Sequence, residues 1–361
     1  MKGELDRYHR QMLLSGFAKA GQQRLRDSTA LLLGCGALGS VAADMLARAG
    51  VGHLVIVDRD ILETTNLQRQ VLFDEQDVAE GMPKAEAAKR QISRRNSQIE
   101  VTAIVDDINH TNIASYAKDA DVLVDGLDNL ETRYLANDLA VKAGLPYVYG
   151  AAVGMTGMAF TVLPRGAGGA WESVTGGSLA TPCFRCLFEE MPPPGTSATC
   201  DTVGVLGPVV GLVANFQAAE TLKILTGNFD RVSRMMLHVD LWGNDILALP
   251  VAESGARCPC CADRQFEYLD GKAGSTAASL CGRDAVQLRH RQQGDGVDLE
   301  ALAAKLREHG KVSVNEFTLR LNIADGGHDY ELMLFPDGRA IVKGTPEPGV
   351  ARTLYAKYIG S

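Results

Sequence analysis

The residues best suited to chemistry begin at Gly34-Cys35-Gly36-Ala37-Leu38-Gly39, followed downstream by Asp58. Glycines at these spacings let a backbone turn tightly and approach a phosphate. The helix that follows offers unpaired N–H groups and a partial positive charge at its start. An acidic residue at the end of the next strand is placed to accept hydrogen bonds from ribose hydroxyls. Arg69 and Lys84 then bring two cations towards the same crevice, and Asn66 and Gln68 add amides. The glycine pattern alone suggests NAD or FAD. The added cations suit a triphosphate whose charge must be neutralised during transfer. Each cation taken singly reads as a solvated surface charge.

The cysteines form a second group. Cys183-x-x-Cys186 and Cys258-x-x-Cys261 are paired thiol hooks. Each spacing lets two sulfurs meet one tetrahedral ion, and four thiolates favour structural zinc. One such pair alone could be a redox couple. Cys260 makes Cys258-Pro259-Cys260 an alternative bite, but the CxxC spacing is preferred, leaving Cys260 beside the site or spare. Cys200 lies in the polar stretch Ser197-Ala198-Thr199-Cys200-Asp201, just before an apolar helix. A buried inert thiol is the common fate of a lone cysteine, whereas a following helix N-terminus could lower its pKa and make it reactive. Cys35 reads as a packing residue within the glycine loop, and Cys281 has no partner in sequence.

The elements that must hold these residues follow from periodicity. Ala30-Leu31-Leu32-Leu33 reads as a buried parallel strand. Residues 41–49 read as a helix ended by Gly50, and 54–57 as a second strand with Asp58 at its carboxyl end. Strands at 101–105 and 121–125, a helix over 131–143 and a strand at 147–149 continue the α/β alternation. Ligands in open parallel sheets bind at strand carboxyl ends, where both Asp58 and Asp128 fall. Beyond 158 the regularity is lost. Residues 164–200, rich in Gly, Pro, Ser and Thr, read as a long loop of the functional kind. An apolar helix over 208–225 and a strand at 235–239 follow. A linker over 269–279 leads to a small α+β unit with strands at 285–288, 316–323 and 330–335, a turn at 336–339, and helices over 299–308 and 350–358. The organisation expected is a 1–268 nucleotide domain, the linker, and a 280–361 carboxyl-terminal domain.

Composition narrows the class. In 361 residues, 46% are hydrophobic and 22% charged, as in ordinary globular proteins. The net charge of −8 gives no support for nucleic acid or an anionic membrane as partner. No apolar run reaches transmembrane length, and the charged start Met1-Lys2-Gly3-Glu4-Leu5-Asp6-Arg7 has no signal-peptide core behind it. A cytoplasmic location is the expectation.

Together these residues resemble the ThiF/MoeB/HesA family of adenylyltransferases, bacterial relatives of ubiquitin-activating enzymes. The resemblance runs over roughly residues 5–265. It rests on Arg7-Tyr8-His9-Arg10-Gln11, the glycine loop, Asp58, Asn66-Leu67-Gln68-Arg69-Gln70, Pro83-Lys84, Asp125-Gly126-Leu127-Asp128-Asn129 and both CxxC pairs. It implies a Rossmann-like, mostly parallel sheet with a zinc-pinned crossover loop, and a homodimer. It implies ATP-dependent adenylation of the C-terminal glycine of a small ubiquitin-like sulfur-carrier protein. Carried over, Asp128 holds Mg²⁺ with Asn129 beside it and Asp58 binds the ribose. Arg69 and Lys84 bind phosphates with Thr65 and Asn66 nearby, and Arg10 reaches the partner subunit's site. Cys200 matches the family's loop cysteine, which in thiamine-type members links covalently to the carrier. Thr65 departs from a frequent serine but keeps the hydroxyl. The carboxyl-terminal region resembles an extension seen in some ThiF-like proteins, is not a rhodanese-like sulfurtransferase, and is expected to tune carrier recognition or oligomer contacts. The rivals are an NAD-dependent oxidoreductase, disfavoured because no hydride-transfer set is evident, and an inactive zinc-held scaffold that only binds a carrier.

Overall fold

The computed structural model describes residues 5–192, 199–251, 257–280, 284–290, 297–315, 318–336 and 338–360. They divide into two compact units, one of 1–127, 132–189 and 206–266, the other of 128–131, 190–205 and 267–361.

The first unit is built on an eight-stranded sheet: β1 (Thr29–Leu33), β2 (His53–Val57), β3 (Glu100–Ile104), β4 (Val122–Asp125), β5 (Tyr147–Val153), β6 (Thr156–Val162), β7 (Met235–Asp240) and β8 (Asp245–Pro250), in the order β3-β2-β1-β4-β5-β6-β7-β8. The first five run parallel and β5 to β8 pair antiparallel. Leu31, Leu32 and Leu33 are fully buried, as a strand covered on both faces requires, and this is why β1 reads as an unbroken apolar run. The strand order reverses at β1, which lies between β2 and β4. Ligands bind at the carboxyl ends beside such a switch point. Gly34, Asp58 and Gly126 are the residues that follow β1, β2 and β4 there.

Helix Gly207–Leu225, with Pro208 in its first turn, packs along helix Ala37–Ala49 and over β5. Its buried Gln217 donates to the carbonyls of Asp125 (2.8 Å) and Val148 (3.1 Å), so a polar side chain ties the helix to β4 and β5. The stretch 164–200 is not all loop: it holds helices Ala170–Thr175 and Phe184–Leu187. Strands β6 and β8 also lie where the sequence shows no regular pattern. There βαβ crossovers give way to hairpins, and β8 is an almost wholly exposed edge with no buried face to impose alternation.

The second unit has its own sheet: β9 (Ser275–Leu280), β10 (Ala285–His290), β11 (Lys311–Val314), β12 (Leu319–Asp325), β13 (His328–Leu334) and β14 (Ala340–Lys343). The order is β11-β12-β13-β14-β10-β9, antiparallel throughout. β9 occupies residues that the composition marks as linker. Leu302 and Leu306 from helix Leu299–Leu306, and Leu354 and Tyr355 from helix Pro348–Tyr358, bury against Val286, Leu321, Leu332 and Val342. The turn between β13 and β14 is closed by the Phe335 N–H on the Arg339 carbonyl at 2.9 Å. Cys281 lies outside the described residues. No described helix is long and apolar enough to cross a membrane.

Candidate functional site

The glycine loop separates into positions demanded by the fold and one that is not. Gly34 has φ +87, and a Cβ there would lie 2.5 Å from the Gly126 carbonyl oxygen. A Cβ on Gly39 would lie 2.2 Å from the Gly34 oxygen. These backbones are in direct contact, so no side chain fits. Gly36 is different: the nearest atom to its absent Cβ is Gln70 Nε2 at 3.9 Å. A Cβ would therefore meet only ordinary van der Waals contacts there, at the N-cap of helix Ala37–Ala49, where no side chain caps the first N–H groups. An uncapped helix start of this kind suits an anion.

Asp58 lies at the floor of this loop. One carboxylate oxygen accepts the Cys35 N–H at 2.7 Å and the other the Asp60 N–H at 2.8 Å. Burial pushes its pKa up to about 6, against the opposing pull of Lys84. Lys84 opens helix Lys84–Arg95 and is buried, with Nζ 2.8 Å from Asp60 Oδ2. Arg59 joins this cluster, paired with Asp107 and 3.8 Å from Asp60. Asp60 and Arg59 were not singled out from the sequence. Their partners lie 24 and 48 positions away, and no local spacing reports such pairings.

The turn Thr64–Asn66 carries the remaining cluster. Asn66 is buried and its Oδ1 accepts the Glu63 N–H at 3.1 Å, so it caps its own turn. Thr65 Oγ1 donates to Glu63 at 3.2 Å, and Arg69 Nη1 to the Thr65 carbonyl at 2.9 Å. Thr65 and Gln68 are exposed and Arg69 partly so. Gln70 is 3% exposed, and its Oε1 has no hydrogen-bond partner among the described residues. This buried amide, whose Nε2 lies beside Gly36, can accept through Oε1 a hydrogen bond from a donor group such as a hydroxyl or an amine. Its place at the end of the Asn66–Gln70 run was the only sequence signal for it.

Asp125, at the end of β4, is structural. It is fully buried, ion-paired to Arg133 at 3.1 Å, and accepts from Tyr147 Oη at 2.6 Å and the Leu127 N–H at 2.8 Å. Arg10 is exposed on helix His9–Met12, with no hydrogen bond or ion pair among the described residues. In the second unit, Asp128 is exposed and accepts from Asn129 Nδ2 at 3.1 Å. Cys200, half-buried, is the first residue of the short helix Cys200–Val203.

The two thiol hooks meet. Cys183 Sγ lies 3.8 Å from Cys186 and 3.6 Å from Cys258, and Cys186 lies 3.4 Å from Cys261. All four sulfurs fall within 4.8 Å of one another. Zinc–sulfur bonds of about 2.3 Å give a tetrahedron with edges of about 3.8 Å, so the four sulfurs fit such an ion. Cys260 is outside the cluster. It is buried and accepts from Asn137 Nδ2 at 3.3 Å, while Asn137 Oδ1 accepts the Phe184 N–H at 2.8 Å. That bridge fixes the strand of chain carrying the first hook to helix Leu130–Ala143.

A Rossmann-like sheet with a glycine loop at its switch point has the form of a nucleotide-binding fold, and the four-cysteine cluster beside it could hold a metal ion. The ThiF family model matches residues 8–260, and the chain belongs to that family. It is 41% identical over 356 residues to the sulfur carrier protein ThiS adenylyltransferase of Bacillus subtilis, covering 98% of this chain and 99% of that protein. It is 36% identical to the sulfur carrier protein adenylyltransferase of Thermus thermophilus, covering 75% of this chain and 97% of that one. Among solved structures, Escherichia coli MccB with succinimide shares the fold at a TM-score of 0.57 and 25% identity, over 71% of this chain and 74% of that chain.

Proposed function

We propose that this protein uses ATP to adenylate the C-terminal glycine carboxylate of a small ubiquitin-like sulfur-carrier protein, releasing pyrophosphate and readying the carrier for sulfur transfer in thio-cofactor biosynthesis. The observation that carries this reading is the end-to-end likeness to the Bacillus subtilis relative, which includes the carboxyl-terminal domain. The uncapped start of helix Ala37–Ala49 behind Gly36 supports it.

The chemistry asks little of acid or base groups, because the attacking carboxylate is already ionised. It attacks the α-phosphorus, an acyl-adenylate forms, and pyrophosphate leaves. The difficulty is bringing two anions together, so positioning and positive charge dominate. In this reading Gly34, Gly36 and Gly39 let the backbone come close to the phosphates, the uncapped N–H groups at the start of helix Ala37–Ala49, Ala37 among them, donate to phosphate oxygens, and Asp58 takes the ribose hydroxyls. Lys84 and Arg69 exchange their present oxygen partners for phosphates, with Thr65, Asn66 and Gln68 on the flanking turn. Following the family resemblance, Asp128, beside Asn129, takes Mg²⁺, which when bound neutralises phosphate charge. Arg10 serves the neighbouring subunit's site in a homodimer, and zinc fills the four-cysteine cluster. Cys200 acts after adenylation: its thiolate displaces AMP from the acyl-adenylate to give a covalent carrier adduct, the thiol proton passing to solvent. The protein works in the cytoplasm, without nucleic acid or membrane.

A binding assay separates this reading from the oxidoreductase rival. ATP with Mg²⁺ should raise the melting temperature and NAD should not. Stabilisation by NAD alone would overturn the nucleotide assignment.

A further inference from the structure

We propose that Thr199 is a positioning residue that seats the Cys200 segment on the carboxyl-terminal helix; the proposal rests on the role read for Cys200 above. Residues 199–205 group with 267–361, so they rest on the carboxyl-terminal domain. The short helix Cys200–Val203 packs against helix Pro348–Tyr358. Thr199 is its N-cap and its hydroxyl works in two directions. It accepts the Thr202 N–H at 3.2 Å, while the Thr202 hydroxyl accepts the Thr199 N–H at 3.0 Å, a reciprocal cap. It also donates to the Lys357 carbonyl at 2.7 Å.

That carbonyl lies in the last turn of its helix, where main-chain acceptors lack partners within the helix. One hydroxyl therefore satisfies an orphan donor of one helix and an orphan acceptor of another. The receiving turn is itself pinned, since Lys357 Nζ pairs with Asp325 Oδ1 on β12 at 2.8 Å. A chain runs from the domain's sheet through Asp325, Lys357 and Thr199 to the backbone of Cys200. A helix of one turn cannot hold itself together, so its geometry is set by what it leans on. The carboxyl-terminal domain thereby fixes where the thiol is presented.

The test compares full-length wild type, Thr199→Val, Thr199→Ser and Cys200→Ala, with ThiS of Bacillus subtilis as the carrier probe. Adduct formation is followed by intact mass under non-reducing conditions, and adenylation by ATP–pyrophosphate exchange. Valine keeps the shape and removes every hydrogen bond of the hydroxyl, including that to the Thr202 hydroxyl at 3.0 Å; it should slow adduct formation about fivefold, the usual scale for a cap or a single hydrogen bond. Serine should restore the rate, and exchange should stay at the wild-type level in both. Wild-type adduct kinetics in Thr199→Val, while Cys200→Ala forms none, would overturn the positioning role alone. An equal loss of exchange and adduct in Thr199→Val would overturn it as general damage. An adduct that persists in Cys200→Ala would instead overturn the reading of Cys200 itself.

Discussion

Replacing the loop glycines singly with alanine should split stability from nucleotide binding. Gly34→Ala must place a side chain at φ +87 and 2.5 Å from the Gly126 oxygen, and Gly39→Ala must push the Gly34 oxygen from 2.2 Å. Strained backbone or overpacking of this kind costs about 1–3 kcal/mol. For a unit of this size that lowers Tm by roughly 2–12 °C. Gly36→Ala meets nothing nearer than 3.9 Å, so its stability should stay within about 0.5 kcal/mol of wild type. Its methyl group would instead stand where a phosphate must approach. Loss of one charge-assisted hydrogen bond from a backbone N–H, about 1.5–3 kcal/mol, should raise the ATP KM about 10- to 100-fold. Thermal melting without ligand gives the first quantity, and pyrophosphate exchange across an ATP titration the second. A Gly36→Ala protein that melts as early as the other two, or that keeps a wild-type ATP KM, would refute the assignment of phosphates to this helix start.

Acid should weaken ATP binding through Asp58. Its pKa is held up near 6 by burial, so the carboxylate needed by the ribose is lost below that pH, and Asp58→Asn should flatten this limb of the ATP KM profile. The sign for stability is opposite: with a folded pKa above the unfolded one, the contribution of Asp58 is complete below about pH 4 and lost as pH rises through about 6, which urea melts of the ligand-free wild type and Asp58→Asn would register. Cys183→Ser should forfeit zinc and soluble folded protein, since such sites supply on the order of 10 kcal/mol of folding energy; Cys260→Ala should keep its zinc by elemental analysis. Arg10→Ala and Asp128→Asn should each lose exchange, whereas mixed dimers of the two should recover part of it; no recovery despite proven subunit exchange would place Arg10 in its own subunit's site.

The parallel half of the first sheet was legible because burial on both faces writes continuous apolar runs such as Ala30–Leu33, with glycines marking each turn. The four cysteines were legible because metal geometry constrains spacing. What was hidden depends on long-range pairing. Asp60 meets Lys84 only when helix Lys84–Arg95 starts beside the end of β2, and Arg59 meets Asp107 only when β2 and β3 align. Asn66 reads as a ligand by type, yet its Oδ1 caps its own turn. β9 escaped notice because Ser275-Thr276-Ala277-Ala278-Ser279 has small, weakly strand-forming residues, and its strand form comes from pairing with β10. The link from Thr199 to Lys357 spans 158 positions, a distance at which neither spacing nor periodicity carries a signal.

The most direct test of the proposed activity is ATP–pyrophosphate exchange by the purified full-length protein with and without ThiS of Bacillus subtilis. Exchange that appears only with the carrier, and is lost when the carrier's terminal glycine is removed, is the expected result. Exchange that ignores the carrier, or none at saturating ATP, Mg²⁺ and carrier, would contradict it.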